Sequence, residues 1–256
     1  MNKVNKVRDI ASRLDVPTDV ASSSHSYAQR FAGLTGEYFL QVQRDAVLEH
    51  LKTIQFDKNK SILEIGGGHC QLTQTYLDLG FEVTIHGSDE RSFTRAYDLG
   101  FKNHPKVTFV SCPIDQLNFR EKEFDIVSGI RLIAHLDDWQ SFLSSIYLFS
   151  KKGIIFDYAN LKTLNFLNPI FYGIKEKIEK NSRPFNCHSP NEIKSELEKL
   201  GCEEILSTPQ FILPMGIHRK LNNKTLSQKF EFKLNSLGLK FLGNPVIVFA
   251  RKKSQD

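Results

Sequence analysis

Apolar residues recur along this chain in two rhythms. Val42, Ala46, Val47, His50 and Leu51 fall at helical spacing, whereas short runs such as Ile62, Leu63 and Ile65 stop abruptly at turn residues, as strands do. The pattern predicts helices through residues 1–55, closed by a turn at Asp57 and Lys58-Asn59-Lys60. A strand at Ser61–Ile65 then runs into three glycines, and a helix from about Gln71 to Leu79 ends at Gly80. Further strands are expected at Phe81–His86, Val107–Val110, from Phe124–Val127 and at Gly153–Asp157, with a short helix ended by Gly100 and another at Trp139–Phe149. Strands alternating with helices at this spacing imply an α/β, doubly wound, mostly parallel sheet, with ligands outside the carboxyl ends of the strands.

After Asn160 the rhythm changes. Leu161–Phe185 is aromatic and apolar without clean alternation, and Ser189-Pro-Asn-Glu192 carries a Ser cap with Pro at the first helical position. Glu203–Leu213 and Asn244–Arg251 read as two more strands, separated by a basic helical segment, Met215–Gly243. The expected division is a helical lid (1–56), a ligand-binding core (57–160), and a cap joined to the last two strands (161–256).

Composition narrows the class. Hydrophobic content of 40% with 25% charged residues suits a globular fold. The N-terminal stretch has charges without the apolar run of a secretory leader, and no stretch approaches the roughly 20 apolar residues of a membrane span. The four cysteines are scattered, with no C-x-x-C pair, so neither a metal site nor a disulfide framework is expected. The cytoplasm is the expected compartment. Net charge is +5, but nine Lys/Arg against Glu231 and Asp256 put +7 on the chain from Met215 onward and leave −2 elsewhere. Such a region suits a solvated basic face, an anionic membrane surface contacted transiently, or a nucleic acid.

The chemistry concentrates in Ser61-Ile-Leu-Glu-Ile-Gly-Gly-Gly-His-Cys-Gln-Leu72. Glycines directly after a buried strand bring backbone close to a ligand. Glu64, in a strand otherwise apolar, needs a hydrogen-bond partner in the turn or the ligand. The dinucleotide fingerprint requires Gly or Ala where Gln71 stands, and the phosphate-loop ending Gly-Lys-Ser/Thr is absent.

These residues resemble the first motif of the class I S-adenosylmethionine-dependent methyltransferases, small-molecule type, an acid followed by a G-x-G-x-G turn. Glu64, Gly66 and Gly68 match it, Gly67 lies between, and Cys70 replaces the third glycine. The resemblance implies a seven-stranded Rossmann-like sheet with an N-terminal helical lid and an inserted helical cap, and S-adenosylmethionine as cofactor. Gly87-Ser88-Asp89 resembles the family's acid after the second strand. Asp89 stands about 20 residues beyond Gly68, the spacing of ribose-binding acids. A carboxylate suits a vicinal diol because it accepts two hydrogen bonds; the alternative role is a helix cap. After the third strand, Pro113 stands where the family often has an acid, leaving Ile114 for adenine packing and Asp115 as the nearby acid. Gly129, Ile130 and Arg131 match the segment lining the methionine end. Tyr27, Arg30 and Phe31 resemble a lid, with Arg30 suited to a carboxylate.

Methyl transfer asks mainly for alignment. A base is needed only for a protonated acceptor, and His135, His69 and His188 are the candidates, with His135 resembling a recurring family histidine. Tyr158, Phe166, Phe171, Tyr172, Phe185 and Phe211 supply aromatic lining for an acceptor pocket. The expected function is methyl transfer to a small, hydrophobic or aromatic metabolite. The alternatives are an RNA or protein methyltransferase docking through Arg219–Lys240, and a protein that binds S-adenosylmethionine without catalysis. Nucleic acid is the less expected partner because no RNA-binding module is visible.

Overall fold

Strands form where the apolar runs lie. In the computed structural model, which describes residues 18–163 and 186–253, they are β1 (Ser61–Ile65), β2 (Glu82–Gly87), β3 (Val107–Ser111), β4 (Phe124–Gly129), β5 (Ser150–Asn160), β6 (Cys187–His188), β7 (Cys202–Phe211) and β8 (Asn244–Lys252). The sheet order is β3-β2-β1-β4-β5-β8-β7, with β6 paired to the end of β5. All pairs from β3 to β5 are parallel, and β8 runs antiparallel to both its neighbours. The central strand β1 aligns Ile62 with Val83 on one side and Ile126 on the other. Strands covered on both faces must be apolar throughout, and Ile62, Leu63 and Ile65 of β1 are buried.

The helices among the described residues are α1 (Thr18–Ser22), α2 (His25–Ala28), α3 (Gly33–Leu51), α4 (Thr73–Asp78), α5 (Thr94–Asp98), α6 (Trp139–Phe149), α7 (Pro190–Lys199), α8 (Met215–Leu221) and α9 (Lys224–Ser236). They flank two apolar cores, one on each face of the sheet. One core joins α6 and α7 residues such as Phe142, Leu143, Ile193 and Leu197 to Leu63, Ile154 and Val248. The other joins Ala46, Val47 and Leu51 of α3 to Ile62, Val83, Ile126 and Phe249. Ser189 begins α7 with a complete capping box to Glu192, as its sequence predicts.

Three expectations need correction. The N-terminal helical region is broken: among the described residues it is α1, α2, a 3-10 turn (Gln29–Phe31) and α3. Gly36 permits this sharp entry, since a Cβ there would lie 2.2 Å from the Phe31 carbonyl carbon. Met215–Gly243 is likewise three pieces, α8, α9 and a 3-10 turn (Leu239–Leu242), because Asn222 and Gly238 adopt left-handed conformations that end a helix. Finally, β6 adds a two-residue strand to the expected seven. Residues 1–17 of the lid, and Phe166, Phe171, Tyr172 and Phe185 of the expected aromatic lining, lie outside the described residues.

Candidate active site

The glycine turn sits at the carboxyl end of the central strand. Gly66 is left-handed (φ 65°), and residues 67–69 close a 3-10 turn that includes Gly68. A side chain on Gly67 has no room, because its Cβ would approach Ile85 Cγ2 to 2.8 Å. Cys70 is left-handed as well (φ 52°), in a conformation that favours the glycine it replaces. Its backbone N–H donates to the Gly67 carbonyl at 2.8 Å and its thiol to the same oxygen at 3.1 Å. Burial pushes the thiol up to about 12, with the Glu64 charge adding to the effect. Cys70 is therefore a neutral residue that closes the turn.

Glu64 finds the partner its burial demands. Its carboxylate accepts from the Thr73 hydroxyl at 2.6 Å, tying β1 to the first turn of α4. Burial raises the carboxyl to about 7, and the Thr73 bond only partly opposes this.

Asp89 lies just past the end of β2, with its side chain 37% exposed. One carboxylate oxygen accepts from Arg91 N and Nε at 2.8 Å, and the other from Nη2 at 3.1 Å. Asp89 thus caps the 3-10 turn Glu90–Phe93, and these bonds hold its carboxyl below the usual range. Beside it, the Asp19 carboxylate of α1 accepts from both the N–H and the hydroxyl of Ser88 at 2.6 Å. The N-terminal helix is thereby pinned to the end of β2. Ile114 and Asp115 lie on the turn after β3; Ile114 packs against the first core and Asp115 is exposed.

Arg131, rather than Arg30, is the arginine enclosed by the N-terminal helical segment. It follows Gly129 and Ile130 at the end of β4 in a left-handed conformation (φ 62°). Its backbone N–H donates to the buried Asp157 carboxylate of β5 at 2.5 Å. Its guanidinium lies 4.3 Å from the Phe31 ring centroid and donates to Tyr27 Oη at 3.4 Å and Gln43 Oε1 at 3.3 Å. Gln43 in turn donates to Gln71 Oε1 at 2.9 Å, linking α3 to the glycine turn. Arg30 is exposed and stacks on Tyr27 at 5.0 Å.

His69 projects between the Tyr27 and Phe31 rings, each 5.1 Å away and edge-on. Burial, with Arg131 and Arg95 close by, holds it down to about 3. So weak a base does not take a proton from an alcohol at neutral pH. His188 packs on Trp139 at 4.9 Å and is also pushed down by burial, while His135 lies exposed on the turn Ile133–His135. Tyr158 and Phe211 are buried core residues, the latter packed with Tyr38 and Phe39.

The residues fit a polar ligand at this edge. Of the eleven buried side-chain polar atoms without a hydrogen-bond partner among the described residues, five surround the turn: both His69 nitrogens, Gln71 Nε2, His86 Nδ1 and Arg95 Nε. Buried polar groups are rarely left unpaired, so their concentration marks a place built for a ligand. A cleft of about 920 Å³, lined by Lys122, Lys151, Lys152, Arg251, Lys252, Lys253 and uncharged neighbours, lies instead at the amino end of the parallel strands. Among the described residues no cluster of His, Cys, Asp or Glu side chains is arranged to hold a metal ion, and no helix is long and apolar enough to cross a membrane.

Asp19, Gln43, Thr73 and Asp157 escape a reading of the sequence. Gln43 alone leaves a signal, being a polar residue on the stripe Phe39, Ala46, Val47 and His50 that α3 buries.

Residues 62–153 match the family model of a methyltransferase domain. The fold is similar to that of Haemonchus contortus phosphoethanolamine N-methyltransferase 2 in complex with phosphomonomethylethanolamine and S-adenosylhomocysteine. That likeness has a TM-score of 0.58 and 18% identity, covering 83% of this chain and 52% of that one. The chain thus spans about half the length of that protein. It is also similar to magnesium protoporphyrin IX methyltransferase from Synechocystis with bound S-adenosylhomocysteine (TM-score 0.61, 14% identity, 91% and 96% coverage). A Thermotoga maritima methyltransferase, a possible histamine N-methyltransferase, gives a TM-score of 0.54 at 19% identity, with 84% and 89% coverage. No curated protein matches the chain in sequence. Residues 62–153 thus match a methyltransferase domain, and the fold around them is the one these solved methyltransferases share. At such identities the structural likenesses carry the fold, and the acceptor is a separate question.

Proposed function

We propose that the chain transfers a methyl group from S-adenosylmethionine to a small, hydrophobic or aromatic metabolite. The observation that carries this reading is the cluster of unpartnered buried polar atoms around the glycine turn, at the carboxyl edge where a doubly wound sheet binds its ligand. When bound, S-adenosylmethionine supplies a carbon already activated by a sulfonium, so the protein's task is alignment.

In this reading Gly66, Gly67 and Gly68 let backbone approach the donor, and Glu64 holds the turn through Thr73. Asp89 receives the ribose hydroxyls. Three of its four lone-pair sites are occupied by Arg91, so Arg91 must release it before it can accept two new bonds. Ile114 and Asp115 face adenine. Gly129, Ile130 and Arg131 line the methionine end under Tyr27 and Arg30. His135 is the base only for a protonated acceptor that reaches the exposed turn. The core is then residues 57–160, with the lid before it and the acceptor cap after it. Phosphomonomethylethanolamine and magnesium protoporphyrin IX, named with two of the similar structures, are both small molecules, which supports a small-molecule acceptor over RNA or protein.

Calorimetry tests the donor site. S-adenosylmethionine should bind, Asp89→Ala should weaken binding at least tenfold, and Arg91→Ala should not. Absence of binding to the native chain overturns the reading. Isotope transfer from labelled donor to a panel of hydrophobic small molecules tests the chemistry, and tight binding without any transfer selects the non-catalytic alternative.

A further inference from the structure

The polarity of α9 is inverted. Residues 224, 227 and 231 share one face of the helix, as do 226, 230, 233 and 237, because helical neighbours recur every three to four positions. The first face is turned inward although it is polar. Ser227 is fully buried, Lys224 reaches Gln41 of α3 at 2.8 Å, and Glu231 accepts from Ile212 N, Leu213 N and the buried His218 ring, each at 2.9 Å. The second face is turned to solvent although it is apolar. Leu226 and Phe230 are about two-fifths exposed and Leu237 is 66% exposed, while Phe232 (76%) is exposed on the flank of the helix and Phe241 (58%) on the 3-10 turn that follows. Of the ten exposed large apolar side chains among the described residues, six fall between Ile217 and Phe241.

Charge on this surface has one sign. Lys229 and Lys233 of α9, Lys220 before it and Lys240 after it are exposed with no acidic partner among the described residues, and Glu231, the segment's acid, is consumed inside. The segment follows β7, which runs parallel to β5, so it projects from the same carboxyl edge as the glycine turn. A helix that shows Phe and Leu among lysines fits an interface between water and anionic headgroups: the rings enter the acyl boundary and the ammonium groups meet phosphate. A stable protein partner would find little flat apolar area between the lysines, and base stacking would leave Leu226 and Leu237 without a role.

We propose that the outer face of α9, continued by Leu239–Leu242, docks the protein on an anionic lipid surface, with the carboxyl edge of the sheet facing the bilayer. This inference rests on the exposed face alone and stands whether or not the acceptor reading holds.

Co-sedimentation of the full chain with vesicles tests it. Vesicles of phosphatidylcholine with about a third phosphatidylglycerol should retain the protein at least tenfold better than phosphatidylcholine alone. The pair Phe232→Ser and Phe241→Ser should cost at least tenfold in retention, as should Lys229→Glu with Lys233→Glu. All four positions are exposed, so circular dichroism and S-adenosylmethionine affinity should stay unchanged. Equal retention by neutral and anionic vesicles, or none at low salt, overturns the proposal. So does a solution homodimer that the Phe pair dissociates, which would make this face an interface between copies. Preferential, salt-sensitive binding of a single-stranded RNA oligonucleotide that the Phe pair leaves intact overturns it as well.

Discussion

Glu64 shows how one residue can hold structure and function in tension. Its carboxyl is buried, has the Thr73 hydroxyl as partner, and is pushed by burial from the ordinary 4.5 up to about 7. A raised folded-state value means that the folded protein binds the proton more tightly than the unfolded chain. The contribution of Glu64 to stability is then fully present below the unfolded value and is lost as pH rises through about 7. Glu64→Gln removes the ionisation and keeps an acceptor for Thr73. It should therefore stabilise the ligand-free protein at pH 8 by on the order of 3 kcal/mol, with the gain shrinking towards pH 5. Thermal melts of both proteins at the two pH values check this, and a pH-independent difference would show that Glu64 is ionised throughout.

At the scale of elements, the N-terminal helical segment, the proposed lid, is joined to the sheet by polar contacts converging on one side chain. Arg131 meets Phe31, Tyr27 and Gln43 from the lid, and its own backbone is held by Asp157. Arg131→Ala removes a cation–π contact and two long hydrogen bonds, together about 1–2 kcal/mol. The glycine turn itself should be unaffected. The expected outcome is faster limited proteolysis across residues 22–33 and S-adenosylmethionine affinity lowered about tenfold, with the cooperative unfolding of the sheet little changed. Protease protection equal to that of the native chain would place the lid's anchorage elsewhere. Much of this scale is readable in sequence. The strand run of β1, the capping box of α7 and the basic character of Met215–Gly243 follow from local patterns. The break at residues 29–32 and the two residues of β6 do not, because the close approach of Gly36 to Phe31 and the pairing of β6 with β5 are fixed only when the elements pack.

Across the whole molecule, one sheet separates two ends of different character, both bearing basic side chains. The carboxyl edge carries the glycine turn, the lid and the exposed apolar face. The amino edge carries the basic cleft, where burial and the neighbouring Lys122 hold Lys252 below its ordinary value. The segment on the carboxyl edge is fastened by Glu231, which bonds two backbone N–H groups beyond β7 and the His218 ring enclosed by Tyr38, Phe39 and Phe211. Glu231→Ala leaves these donors buried without a partner and should cost about 2–4 kcal/mol. Denaturant melts measure the loss. A change below about 0.5 kcal/mol would mean that the segment is held by its apolar contacts instead.

By itself the sequence determined the alternation of strands and helices, the glycine turn with its acid, and the departure from the dinucleotide fingerprint at Gln71. These are local properties: periodicity, glycine conformation and motif spacing act over a few residues. Only the tertiary structure decided that Arg131 rather than Arg30 is enclosed by the lid, and that Asp19 caps the end of β2. It alone showed Cys70 closing the turn in place of glycine, and α9 turning its phenylalanines outward. Each of these depends on which distant side chain reaches a buried polar atom first, and that competition is settled when the elements pack together.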